Sequence, residues 1–263
     1  KLHLPDTAQI VVVDAEGQQV PYQITSDEKV IFPVTVQANG SAVYTIKVGI
    51  PQECPVKACG RYYPERVDDV AWENDLTAFR AYGPALQETG ERAFGYDIWT
   101  KYNTTEPVVE ARYEGELNPD MKAKIAELGK TDPKAAQELY RSVSYHVDHG
   151  NGLDCYKVGP SWGGGTTALM AGDTIVYPYC YATQEILDNG PLRFTVKLVY
   201  NPLVVKGDST IIETRIITLD AGSYCNKTVV SYTNLKETMP LSVGIVLHEP
   251  DGAIVADAAN GYM

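Results

Sequence analysis

The chain has 263 residues, 44% of them hydrophobic, enough to build one large domain or a small domain beside a larger one. Its formal net charge of −12 repels phosphate backbones and anionic bilayers, which sets aside nucleic acid and non-specific membrane adhesion. No run of about 18 apolar residues occurs, so no transmembrane helix is expected.

The opening KLHLPDT lacks the basic, apolar and small-residue succession of an export signal, which has been removed or never existed. Residues 9–50 read as strands, QIVVVDAEGQQV, EKVIFPVTVQANG and SAVYTIKVGI, with AEG and ANG as turns between β-branched runs. The expected organisation is an N-terminal β-strand region over 1–53 and a larger β domain over 54–263. Cys54 and Cys59, in CPVKAC, are close enough to bridge around a small loop, while Cys155, Cys180 and Cys225 are scattered and lack zinc-site spacing. One local disulfide in an exported protein and three buried free thiols are both open readings. The triplets NGS, NTT and NKT match glycosylation acceptors, a pattern common by chance.

The stretch RYYPERVDDVAWENDLTAFRAYGPAL begins polar and irregular, then alternates like a strand from TAFRAY, with Phe79 and Ala81 on one side and Arg80 and Tyr82 on the other. Residues 118–143 predict a helical insertion into a β protein. Asn118 caps, Pro119 fits the first helical position, and Met121, Ile125 and Leu128 form a stripe that Gly129 ends. Asp132 and Pro133 repeat the start signal, with Ala136, Leu139, Tyr140 and Val143 as the second stripe. In LRFTVKLVY, Leu192, Phe194, Val196 and Leu198 share one face and Arg193, Thr195 and Lys197 the other. STIIETRIITLDAGS, NKTVVSYTNL and LSVGIVLHE continue at the spacing of a meander, which implies two sheets packed face to face. The final GAIVADAANGYM is apolar and strand-like, and the natural protein is expected to continue past Met263.

The densest chemistry lies in SYHVDHGNGLDCYKVGPSWGGG, which holds two of the four histidines. His146, Asp148 and His149 form H-x-D-H, the second half of a binuclear zinc signature, but Ser144 stands where a further histidine is needed and only His3 and His248 remain elsewhere. No cofactor is required by the pattern; a divalent cation such as calcium, on Asp148 or Asp154 and carbonyls, is the metal alternative. For acid–base chemistry, histidine exchanges protons near neutrality, Asp148 or Asp154 can fix its tautomer, and Tyr156 and Lys157 add an acid and a cation. Trp162, beside three glycines, offers a plate for a sugar ring, and no GK[ST] follows to make a phosphate loop. Arg61, Glu65, Arg66, Asp68, Asp69, Glu73, Asn74, Asp75 and Arg80 around Trp72 read either as a sugar-contacting rim or as a surface loop laced with ion pairs. Glu213 with Arg215, and Arg193 with Lys197, share strand faces that line the same cleft or face water.

YPERVDDVAWENDLTAFRAYGPAL, YHVDHGNGLDCYKVGPSWGGGTTALM and DNGPLRFTVKLVY together resemble an uncharacterised family of exported bacterial proteins, a domain of unknown function linked to glycan-degradation loci. The resemblance runs from about residue 55 onward. It implies a galactose-mutarotase-like β-supersandwich, a periplasmic or cell-surface location, and members that run longer at the C-terminus. Aldose epimerases of that superfamily place their histidines on separate strands, unlike His146 and His149, so a mutarotase mechanism does not carry over directly, and fold alone assigns no chemistry. The leading expectation is an exported glycan-processing enzyme that moves a proton at a carbon of a uronic-acid-containing oligosaccharide, by β-elimination. His146 or His149 takes the proton, Tyr156 or the other histidine protonates the leaving oxygen, and Arg80, Lys157 or Arg193 holds the carboxylate. Trp72, Asp148, Asp154 and Trp162 complete the substrate-binding set. The alternatives are a mutarotase or glycoside hydrolase, the latter using Asp148 with Asp154 or Glu213, and a non-catalytic carbohydrate-binding protein.

Overall fold

The computed structural model describes residues 9–249, 253–257 and 259–260; His3 and Met263 lie outside the described residues. The N-terminal segment forms β1 (Ile10–Val13), β2 (Gln19–Val20), β3 (Gln23–Ile24), β4 (Val30–Ile31) and β5 (Thr45–Val48). Next come β6 (Ala58–Tyr63), β7 (Asp69–Asn74), β8 (Thr77–Ala81), a short α1 (Pro84–Glu88) and β9 (Asp97–Thr100). Three helices follow, α2 (Val109–Leu117), α3 (Pro119–Thr131) and α4 (Pro133–Arg141). The remainder is β10 (Thr166–Ala171), β11 (Thr174–Val176), β12 (Tyr181–Asn189), β13 (Arg193–Tyr200), β14 (Leu203–Val205), β15 (Asp208–Asp220), β16 (Lys227–Thr233) and β17 (Leu241–Gly244).

The protein is mainly β, an antiparallel sandwich with a short helical insertion. One sheet runs β6-β7-β8-β9, and the sheet facing it runs β12-β13-β15-β14 with β16 also on β15. Strand periodicity decides what meets between them. Val70, Trp72, Phe79 and Ala81 of the first sheet pack against Phe194, Val196, Leu198, Ile217 and Leu219 of the second, as the alternation in LRFTVKLVY predicts. Antiparallel pairing of Val196 with Ile217 and Phe194 with Leu219 holds that register. A β11-β10-β17 sheet adds Leu169 to a second cluster with Leu203, Val205 and Ile211, and the N-terminal strands form a β2-β1-β5 sheet and a β3-β4 pair.

Trp72 sits at the centre of this core with 0% exposure, stacked near Phe79 and Phe194, its indole N–H donating to Asn226 Oδ1 at 2.8 Å. It has no face left for a sugar, which corrects its assignment to a binding rim. The charged stretch around it is surface only in part: Arg61 pairs with Glu65 at 2.6 Å, both side chains partly exposed. Asp69, Glu73 and Asn74 lie in β7 and are buried, each with partners distant in sequence. Glu213 and Arg215 of β15 are wholly buried and paired to each other, with Arg215 also donating to the Thr167 carbonyl at 3.1 Å. Neither lines a cleft nor faces water.

The caps at Asn118 and Asp132 are in place: each accepts from the backbone N–H three residues on, at 2.9 and 3.0 Å. The helical region starts earlier than residue 118, because α2 precedes it. α2 has no side-chain cap of its own. Its first N–H groups donate instead to the carboxylate of Glu73, at 2.9 Å from Val109 and 2.9–3.0 Å from Val108, and Lys101 neutralises the same carboxylate at 2.8 Å. The strand-like alternation of TAFRAYGPAL ends at Ala81, and PALQE makes α1 from a proline at the first helical position. All five cysteines are free; Cys180 alone is buried, Cys155 and Cys225 are exposed, and Cys54 and Cys59 are not bridged.

Candidate active site

The second face of the β6–β9 sheet turns away from the sandwich core, toward α2 and the 142–165 loop. Asp69, Ala71 and Glu73 of β7, Ala78 and Arg80 of β8, and Asp97 and Trp99 of β9 all point there by strand period, and Tyr63, Tyr113 and Tyr145 close over them. Tyr145 stacks on Trp99 at 5.0 Å between ring centroids.

Arg80 is the charged centre of this layer. Its Nη2 donates to Asp154 Oδ2 at 2.8 Å, to Asp97 Oδ2 and to the Tyr82 hydroxyl at 2.9 Å, and its Nη1 lies 3.9 Å from Asp69. Arg66 reaches Asp69 at 3.8 Å. Three carboxylates thus surround one interior guanidinium and a second at its margin, with little water to solvate them. Burial is the main reason that Asp154 is pushed up to about 6 and Asp69 to about 7, with Arg80 pulling both the other way.

The loop is tied to this layer from both ends. The Ser144 hydroxyl and the Tyr145 N–H donate to Glu116 at 2.8 and 3.1 Å, and the Asp154 N–H donates to the Tyr145 carbonyl at 2.9 Å. Between these anchors the His146 ring places Nδ1 3.1 Å from the backbone carbonyl of Asp154 and 3.6 Å from its Oδ2. A carbonyl only accepts, so Nδ1 carries the hydrogen in this contact, and the neutral ring presents its lone pair at Nε2. The ring is half exposed.

His146 opens onto a cavity of about 590 Å³ that Asp154, Tyr82, Arg66, Arg92 and Lys157 also line. That volume is typical of small-molecule sites, which span about 300–1,000 Å³. Four cations, Arg66, Arg80, Arg92 and Lys157, stand against two carboxylates, Glu91 and Asp154, the reverse of the balance over the whole chain. Beyond the cavity, the loop meets the segment leading into β9 through bare backbone. Gly164 N–H donates to the Tyr96 carbonyl at 2.7 Å, and a Cβ at Gly95 would overlap the Trp162 carbonyl.

The structure brings His146, Asp154, Tyr156, Lys157 and Arg80 to this cavity and places the other expected residues elsewhere. His149 lines a separate cavity of about 360 Å³ with Arg112 and Tyr145, its Nε2 held by the Ser144 carbonyl at 3.0 Å. Asp148 holds the turn that follows, over residues 148–152: Oδ1 accepts from Gly150 and Gly152 N–H at 2.8 and 3.1 Å, and Oδ2 accepts from the Tyr102 hydroxyl. Gly152 has φ of +98°, and a Cβ there would strike the Thr100 carbonyl. Tyr156 turns its hydroxyl inward to the carbonyls of Gly163 and Val246 at 2.8 and 2.7 Å, so the phenol acts as a brace. Arg80 is only 2% exposed and committed to carboxylates, so it positions Asp154 rather than clamping a ligand. Trp162 is half-buried beside the cavity, packed on Gly244 and Tyr177. Arg193 is paired with Asp220 at 2.6 Å at the start of β13 and lines none of this cavity.

Among the described residues no three His, Cys, Asp or Glu side chains come together to hold a metal ion. The Arg80 guanidinium fills the space between the three aspartates. Reading the sequence missed Asp97 and Arg92. Asp97 sits in GYDIWT, in phase with Trp99, so recognising that strand would have found it; Arg92 lies on an exposed loop that carries no local signal.

No helix of the described residues is long and apolar enough to cross a membrane. No solved structure matches the chain. A protein of Formosa agariphila described as "Uncharacterized protein P7" is 28% identical over 266 residues, covering 98% of this chain, and the chain spans 59% of that relative's length. Residues 1–263 match the family profile described as Domain of unknown function (DUF4861), and the chain belongs to that family.

Proposed function

We propose that the protein is an exported glycan-processing enzyme that cleaves uronic-acid-containing oligosaccharides by β-elimination, with His146 as the proton-transfer residue. The observation that carries this reading is the cavity that combines a histidine of fixed tautomer, backed by Asp154, with an excess of cations. Elimination needs a base at the carbon next to a carboxylate, and a cation to offset the negative charge that develops on that carboxylate. His146 Nε2 takes the hydrogen from the sugar carbon that bears the carboxyl group. The C–H electron pair becomes the new C=C bond, the adjacent C–O bond breaks with its electrons on oxygen, and the imidazolium returns the proton to that oxygen. Lys157 and Arg66 offset the charge on the carboxylate, and Asp154 stabilises the imidazolium between the two transfers.

Hydrolysis has less support. It calls for two carboxylates flanking the bond, whereas of the two that line the cavity Asp154 is bound to Arg80 and Glu91 is exposed. The test is incubation with a panel of uronate oligosaccharides while the ultraviolet absorbance of the conjugated product is followed. Absorbance growth that His146→Gln abolishes supports elimination. A reducing end without a double bond, or no product from any acidic glycan, overturns it.

A further inference from the structure

Two of the chain segments that line the cavity continue into aromatic residues just beyond it. Arg92 and Ala93 lead into Phe94, and Gly159 and Pro160 lead to Trp162. Phe94 stacks on Tyr177 with centroids 5.3 Å apart, and Trp162 meets Tyr177 edge-on at 5.6 Å. The Arg92 guanidinium lies 5.7 Å from the Tyr179 ring. Tyr179 is 40% exposed, yet it is not loose: buried Gln87 of α1 donates to its backbone carbonyl and accepts from its hydroxyl at 3.3 Å. Neither Arg92 nor Lys157 has a carboxylate within ion-pair distance among the described residues.

We infer that Tyr179 and Arg92, at the edge of the cavity, form a second saccharide subsite, which holds the acidic sugar residue next to the one that reacts. The inference rests on the acid–base reading of the adjoining cavity and adds that the substrate is an oligomer with consecutive acidic residues. A tethered, half-exposed ring gives the apolar face of a pyranose a surface at little conformational cost. A guanidinium already laid over that ring meets a carboxylate in a two-pronged geometry that lysine alone cannot give. The unpaired Arg92 guanidinium supplies charge complementarity that most of this acidic chain lacks.

The experiment is titration calorimetry on the His146→Gln protein, which leaves bound sugars intact, with galacturonic acid and its oligomers of two to four residues, and with neutral malto-oligosaccharides. The expected result is affinity that rises at least tenfold from the monomer to the trimer, with the neutral series bound far more weakly. Tyr179→Ala removes that rise and leaves monomer affinity within about twofold, Arg92→Gln lowers trimer affinity by more than monomer affinity, and Tyr179→Phe, which keeps the ring, retains the rise. Affinity independent of chain length, or a rise unchanged in Arg92→Gln and Tyr179→Ala, overturns the subsite. Length-dependent binding in a protein that makes no unsaturated product retains the subsite and overturns the elimination reading instead.

Discussion

A single oxygen of Asp154 faces both Arg80, at 2.8 Å from Nη2, and His146, at 3.6 Å from Nδ1. A buried cation thereby fixes the orientation of the carboxylate that backs the imidazole. Asp154→Asn keeps the shape of the side chain but removes the charge that stabilises His146 once it is protonated. Turnover is expected to fall about 10²-fold or more, within the range of general acid–base effects. The circular dichroism spectrum should match wild type, and a variant with undiminished turnover would exclude the pair from catalysis.

His149 faces another cavity, so its removal separates the two imidazoles. His149→Ala is expected to retain turnover within about threefold, whereas His146→Gln loses it. Equal losses in both would mean that the two rings act on one substrate after all.

The Arg80 centre also predicts how stability follows pH. The Asp69 and Asp154 carboxyls ionise at about 7 and about 6 when folded, against an ordinary value near 3.8. Because both values are raised, the protonated forms favour the folded state fully below pH ~3.8, and that contribution is lost as pH rises through about 7. The exposed carboxylates with lowered values, such as Asp148 and Glu65, act in the opposite sense only at lower pH. Stability should therefore decline between pH 5 and 8, by an amount on the order of a few kcal/mol. Asp69→Asn should flatten the decline in thermal melts taken across that range.

Arg80→Met removes the cation at the centre of the three aspartates. Leaving buried carboxylates unpaired costs about 3–5 kcal/mol, so the urea midpoint is expected to fall sharply. Raising acidity should restore part of the loss, since protonated carboxyls no longer need the guanidinium.

Glu73→Ala strips the first turn of α2 of its acceptor and leaves the ammonium of Lys101 unpaired, with its side chain 1% exposed. A loss of about 3 kcal/mol or more is expected. Native-state hydrogen exchange should show faster exchange confined first to the Val108 and Val109 amides.

These cases show which parts of the structure local sequence conveys. The caps at Asn118 and Asp132 could be read directly, because cap and amide are three residues apart. α2 could not, because its acceptor Glu73 lies 35 residues before Val108 and in another element. LRFTVKLVY could be read as a strand because only one of its faces is fully apolar. β7 read as a polar loop because both its faces are buried, one on apolar partners and the other on charged ones brought in by β9, α2 and the loop. The cluster around His146 was visible as a density of titratable groups. Its division between two cavities was not, because it depends on which carbonyl each ring meets, that of Asp154 for His146 and that of Ser144 for His149.

The seam between the Gly95 region and residues 162–164 has a consequence for how this pocket could be altered. That seam, next to the pocket, is bare main chain pressed on main chain, and a side chain at Gly95 would prise the loop away. Selection or engineering for a different ligand is thus kept off this seam and falls on lining side chains such as Arg92 and Lys157, which no carboxylate of the described residues pairs. Variants of altered preference should cluster at those side chains, while the glycines of the seam stay constant from one to the next.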